Sequence, residues 1–211
     1  LSMDLSMLTL QFDQNALKDK NRFELLITDE NELSGLPESA RDAAAMLAKS
    51  KDKDGWLFNL SAPSYIPFMR YSDKRDLREK MYREYMSVGN KGDEFDNKDI
   101  IKKIVNIRLE IAQLMGFKNY AEYALEHTMA KNSANVYKLL NQLLEAYKPI
   151  AINEYNAVEG FALGTEKENI TVMPWDWSYY SEKLRDIRFK VNDEMTRPYF
   201  ELSNVKKGLF G

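Results

Sequence analysis

The sequence predicts an all-α, mainly helical protein with at most one small β element. Three observations predict it. Apolar residues recur at three- and four-residue spacing along most of the chain, as on one face of a helix. Glycine, proline and asparagine punctuate those segments. The composition, 44% hydrophobic and 30% charged, is that of a folded globular protein and not of a disordered one. At 211 residues the chain is expected to form a single helical domain over 1–211.

The elements follow in order. Leu1, Leu5, Leu8 and Phe12 share one face of an amphipathic first helix. A second helix is expected from Glu38 to Lys49, with Pro37 next to its first turn and Ala43–Ala45 favouring helix. Gly55 breaks the pattern, and Trp56–Leu60 reads as a short strand bounded by the turn formers Ser61 and Pro63. Lys74 to Met86 forms a helix that stops at Gly89. After the polar NKGDEFDN, Asn97 is placed to cap a helix that runs to Met115 and ends at Gly116. A shorter helix begins near Asn119. A long one spans about Ser133 to Ala162 with the stripe Val136, Leu139, Leu140, Leu143, Leu144 and Tyr147, and Pro149 is expected to kink or end it. Ile170–Met173 reads as a short extended piece, a second candidate for the β element with Trp56–Leu60. Further helices are expected over Trp175 to about Lys190, from Asp193, and over Val205–Phe210.

Several functional classes are disfavoured. A net charge of −3 with interspersed signs lacks the basic patch that neutralises phosphates, so no nucleic-acid partner is expected. No apolar run approaches the roughly 18 residues of a membrane-spanning helix, so no membrane partner is expected either. There are no cysteines, which excludes disulfides and thiolate chemistry and leaves the compartment open.

A search for catalytic sets is also negative. The helical zinc motif H-E-x-x-H needs two imidazoles, and this chain has one, His127, expected to be a partly buried histidine near a helix end. No G-x-S-x-G elbow, phosphate-binding loop or dinucleotide fingerprint is present. The 33 acidic residues mostly alternate with lysines, as a solvated face would. No catalytic residue, metal ligand or cofactor site is therefore assigned within the chain.

Several segments carry a resemblance. They are LSGLPES (Leu33–Ser39), GWLFNLSAPSYIPFMRY (Gly55–Tyr71), RDLREKMYREY (Arg75–Tyr85), and Gly92–Ala130 with MGFKNYAEY. PWDWSYYSEKLR (Pro174–Arg185) and RPYFELSNVKKGLFG (Arg197–Gly211) follow. In order and spacing these resemble the thimet oligopeptidase and peptidyl-dipeptidase family of zinc metallopeptidases. The two tryptophans of WDW lean the resemblance toward the bacterial peptidyl-dipeptidases.

The resemblance implies a helical part of a neurolysin-like, zincin-type peptidase fold, whose complete enzyme holds one zinc ion and cleaves short peptides. It also implies that the H-E-x-x-H helix lies downstream, so this chain is expected to be an internal, catalytically inert fragment. A free-standing helical module that binds peptides or proteins is the alternative. The strip Trp175–Tyr180 divides the same way. Trp175, Trp177 and a tyrosine are read as core, or Asp176, Tyr179 and Tyr180 are read as substrate-binding residues facing a channel. Those last three share a helix face, with Trp177 off it. Arg75, Arg78 and Lys80 with Asp76 and Glu79 read as a charged surface helix. Self-association or mobility is expected at Trp175–Tyr180 and the terminal VKKGLFG.

Overall fold

The computed structural model describes residues 1–166, 170–190 and 193–210. It is mostly helical, with one two-stranded sheet among the described residues. In chain order the elements are α1 (Ser2–Arg22), β1 (Leu25–Ile27), a 3-10 turn (Glu30–Leu33), α2 (Glu38–Lys49), β2 (Trp56–Phe58), α3 (Ala62–Tyr71) and α4 (Arg75–Met86). They continue with α5 (Lys98–Leu114), α6 (Tyr120–Leu125), α7 (Ser133–Thr165), α8 (Pro174–Phe189), α9 (Asp193–Thr196), a second 3-10 turn (Arg197–Phe200) and α10 (Leu202–Phe210). The chain divides into two compact units, one of Leu1–Phe23 with Arg83–Asn156, the other of Glu24–Tyr82 with Ala157–Gly211.

In the first unit α1 packs on α5, burying Ile100, Ile104 and Ala112. The turn before α5 is tied to α1 by polar groups. Asp19, fully buried, accepts from the Gly89 N–H at 2.7 Å and pairs with Arg22 at 2.7 Å and Lys91 at 3.2 Å. Asn97 occupies the N-cap position of α5 but makes no side-chain cap bond. Its amide donates to the Phe12 carbonyl at 3.0 Å instead, and its oxygen accepts from Asn15 at 3.1 Å. The capping role expected of Asn97 is thus replaced by a tertiary one, and Asp96 accepts from the Lys98 N–H. α7 continues through Pro149 without ending there.

The second unit has the denser core. β1 and β2 pair antiparallel in the register Leu25–Phe58, Leu26–Leu57, Ile27–Trp56. Gly55 enters β2 at φ +111°, where an added Cβ would lie 2.3 Å from the Ile27 carbonyl oxygen; only glycine fits that approach. α2 covers the sheet, and Ile27, Leu33, Leu36, Ala48, Leu57, Phe58 and Leu60 are buried. Burying each large side chain of this kind contributes about 1.5–3 kcal/mol. Phe58 and Phe68 meet edge to face at 4.8 Å, which locks α3 to the sheet.

One expectation is corrected here and one helix is added. Residues 170–173 lie outside any strand; the partner of β2 is Leu25–Ile27, just after α1. Residues 62–71 form a helix, because Pro63 sits in the first turn, where a missing N–H costs nothing, and Pro67 is tolerated further along.

Candidate functional site

The aromatic strip opens α8, and α8 packs on α3 within the second unit. Pro174 stands in the first turn with its φ already suited to a helix. Asp176, at the third helical position, reaches back to accept the Met173 N–H at 3.0 Å, so one carboxylate satisfies an orphan donor of the helix start.

The same carboxylate is clamped from α4. Arg75 Nε lies 3.1 Å from both oxygens of Asp176, and Arg75 Nη2 donates to Oδ2 at 2.7 Å and to the Thr171 carbonyl at 2.8 Å. Arg78 Nη2 donates to Oδ1 at 2.8 Å. Arg78 is itself buried, and its remaining donors reach the carbonyls of Ser72 at 2.7 Å and Trp175 at 3.3 Å. Its guanidinium lies 4.0 Å from the centroid of the Tyr179 ring, close enough for cation–π attraction. The expectation of a surface helix is therefore corrected for Arg78. Its partner is not an i,i+3 or i,i+4 neighbour but an aspartate 98 residues on.

The tyrosines complete the network. Tyr179 donates to Asp73 at 2.7 Å, and Asp73 also accepts from Ser34 at 2.7 Å and pairs with Lys183 at 3.3 Å. Tyr180 donates to Glu166 at 2.6 Å. Tyr71 donates to Glu182 at 3.1 Å. The Tyr179 and Tyr180 rings meet edge to face at 5.0 Å and pack with Val158 and Ala162. Trp175 is buried and tilts against Tyr82 at 6.1 Å, whereas Trp177 is 36% exposed.

Electrostatics follow from these contacts. Burial disfavours the ionised Asp176, but hydrogen bonds from Arg75, the Met173 N–H and Arg78 outweigh it and hold the carboxyl below its ordinary range. Asp73 is lowered likewise, with Tyr179, Ser34 and Lys183 overcoming burial. Both tyrosine hydroxyls are pushed up, first by burial and then by their carboxylate acceptors. Each acid in this cluster is engaged by a cation or a hydroxyl. Structurally it is a hydrogen-bonded anchor between α8 and the segments packed on it.

All three residues singled out in the sequence, Asp176, Tyr179 and Tyr180, are thus brought together and buried. Sequence reasoning missed Asp73, Glu166, Glu182 and Tyr71, whose only signal is residue type. A cleft of about 330 Å³ adjoins the network, with Asp73, Glu182, Lys183, Arg70 and Tyr71 in its walls. His127 departs from expectation: it is 90% exposed, beside Glu126. Among the described residues no group of three or more His, Cys, Asp or Glu is placed to hold a metal ion, and no helix is long and apolar enough to cross a membrane.

Comparison with known proteins decides the family. The model of peptidase family M3 matches residues 68–211, which include α4, α8 and most of the anchor. The chain belongs to peptidase family M3. Oligopeptidase A of Haemophilus influenzae is 41% identical over 212 residues, covering 98% of this chain and 31% of that protein. Probable cytosolic oligopeptidase A of Arabidopsis thaliana is 38% identical over 221 residues, covering 100% and 31%. Dipeptidyl carboxypeptidase of Escherichia coli is 29% identical over 212 residues, again 100% and 31%. The chain therefore spans about a third of the length of these M3 relatives. Among them identity runs higher to the oligopeptidases than to the dipeptidyl carboxypeptidase, against the lean given by WDW.

Proposed function

We propose that this chain is a non-catalytic helical portion of a zinc-dependent M3 peptidase that hydrolyses short peptides, and that it is inactive on its own. The observation that carries the reading is the family match over residues 68–211, with relatives named for oligopeptidase and dipeptidyl carboxypeptidase activity. The residues present do not fit a zinc site, since the single histidine is solvent-exposed and no ligand group converges among the described residues. No step of hydrolysis is derived from these residues.

In this reading Asp176, Tyr179 and Tyr180 serve peptide binding by holding α8 in place. Their polar atoms are engaged by Arg75, Arg78, Asp73 and Glu166, which fixes the helix whose outer face carries Trp177. The gene and the protein test the proposal together. The open reading frame should continue past Gly211 and encode H-E-x-x-H. The 211-residue chain should show only weak, non-stoichiometric heat when titrated with zinc, and no cleavage of a quenched fluorescent peptide. A frame that stops at Gly211 would instead favour a free-standing peptide- or protein-binding module, and a stoichiometric, tight zinc site would overturn the assignment of ligands.

A further inference from the structure

We infer that the cleft where the end of α3 meets α8 binds the ammonium group of a small zwitterion, an amino acid or a dipeptide, on Glu182 and Asp186. The inference stands on contacts within the second unit and does not rest on the peptidase reading.

The site is built around a buried carboxylate that is only half engaged. Glu182 is 7% exposed. Its Oε1 accepts from the Tyr71 hydroxyl at 3.1 Å and from Arg185 Nη2 at 2.5 Å. Its Oε2 has no hydrogen-bond partner among the described residues, and it still touches water. That water is in the cleft of about 330 Å³, which Glu182 lines. Asp186 lies one turn further along α8 on the same face and lines the same cleft. Its carboxylate likewise has no side-chain partner among the described residues. Buried polar groups are normally satisfied, so a covered carboxylate with one bare oxygen facing a cleft points to a donor that comes from outside.

The rest of the cleft selects the donor. Asp73 also stands in its wall, but it is occupied by Tyr179, Ser34 and Lys183. Two carboxylates remain, too few for a calcium or magnesium ion, and no group of three or more ligands converges among the described residues. An ammonium carries three N–H donors, which two carboxylates and a water satisfy. The cleft volume is at the lower end of the roughly 300–1,000 Å³ of small-molecule sites, so the ligand is small. Arg70 and Lys183 share the walls with the acids. A cleft of both signs suits a zwitterion and works against a polyamine, whose second charge would meet a cation.

Calorimetric titration of the complete protein, whatever length its reading frame encodes around this chain, tests the inference. Alanine and dialanine are the probes, and the tighter of the two names the source of the zwitterion. N-acetyl-dialanine, which lacks the ammonium, and putrescine, which lacks the carboxylate, are the controls. One stoichiometric site is expected for a probe and none for either control. Glu182→Gln keeps the shape and the acceptor for Tyr71 but turns an amide toward the cleft, and should weaken the site at least about tenfold. Asp186→Asn, at an exposed position that folding does not depend on, should weaken it about threefold and carries the test if Glu182→Gln does not fold. A probe held elsewhere in the protein is untouched by either variant, so only the heat that the variants remove belongs to the cleft. The readout is binding and not cleavage, so its failure leaves the peptidase reading standing. No binding of either probe, equal binding of N-acetyl-dialanine or putrescine, or an affinity unchanged in the folded variants would each overturn the inference.

Discussion

Replacing Asp176 by alanine should destabilise the second unit by about 4 kcal/mol, and the structure shows where that comes from. The two arginines on Asp176 differ in what they can do without it. Arg75 is 42% exposed and can turn its charge to water. Arg78 is 1% exposed and cannot. Removing one partner of a buried ion pair costs about 3–5 kcal/mol because the other charge is left uncompensated. Losing the link from Asp176 to the Met173 N–H adds about 1 kcal/mol. The bonds Arg78 keeps to the Ser72 and Trp175 carbonyls offset part of this. Urea unfolding followed by tryptophan fluorescence is the assay, because Trp56, Trp175 and Trp177 all lie in the second unit. With a slope of about 2 kcal/mol per molar, the midpoint should fall by on the order of 2 M. A loss below about 1 kcal/mol would mean that Arg78 finds water or another counter-charge, and the reasoning would fail. The control is Arg78→Met with Asp176→Leu, which removes both charges and should recover most of the loss. If the double variant is as unstable as the two single ones combined, the cost is one of packing and not of an orphaned charge.

Two further outcomes follow from the same network. Asp176 and Asp73 are lowered in the folded state, so the folded chain binds fewer protons than the unfolded one once the pH nears the ordinary carboxylate value of about 3.9. Their contribution should be fully present above about pH 5 and lost as the pH falls below about 4. Urea midpoints at pH 7, 5, 4 and 3 check this, and a decline already between pH 7 and 5 would contradict it. Tyr180→Phe keeps the buried ring and removes only the hydroxyl that donates to Glu166, so it should cost about 1–2 kcal/mol by the same fluorescence assay. A change under about 0.5 kcal/mol would show that this bond contributes nothing net.

Helices α2, α5 and α8 were legible because each carries its own start signal and one apolar face, and such signals are local. β1 was not legible: three residues, Leu25–Ile27, follow α1 with no turn former between, and their strand character exists only against β2. α3 was hidden because Pro63 reads as a turn former that bounds the strand when its place in a helix is unknown. At the site, the shared face of Asp176, Tyr179 and Tyr180 was legible from spacing. The burial of Arg78 was not, since alternating charges on α4 fit a solvated helix equally well. Only the fold supplies the counter-ion. Asp19 and Asn97 teach the same lesson, because residue types common on surfaces are buried here once tertiary partners take up all their polar atoms.

The sequence spacing then explains why the anchor is built from these residue types. The third position of a helix is where a carboxylate can reach the N-cap N–H, and Asp176 holds it. Residues three and four further on lie on the same face, so Tyr179 and Tyr180 are carried over the elements that Asp176 binds. Arg78, drawn in by Asp176, is thereby placed under the Tyr179 ring at 4.0 Å, and the ring covers a charge that would otherwise need water. Tyr179 in turn hands its hydroxyl to Asp73, in the turn between α3 and α4, so the start of α8 is tied to both ends of that turn. A glutamate at 176 would have to fold back its extra methylene to reach the same N–H. A phenylalanine at 179 would keep the ring over Arg78 but release Asp73. Charge, cap and ring act as one unit, which is why Asp176, Tyr179 and Tyr180, read in the sequence as either core or site, are buried and polar at once.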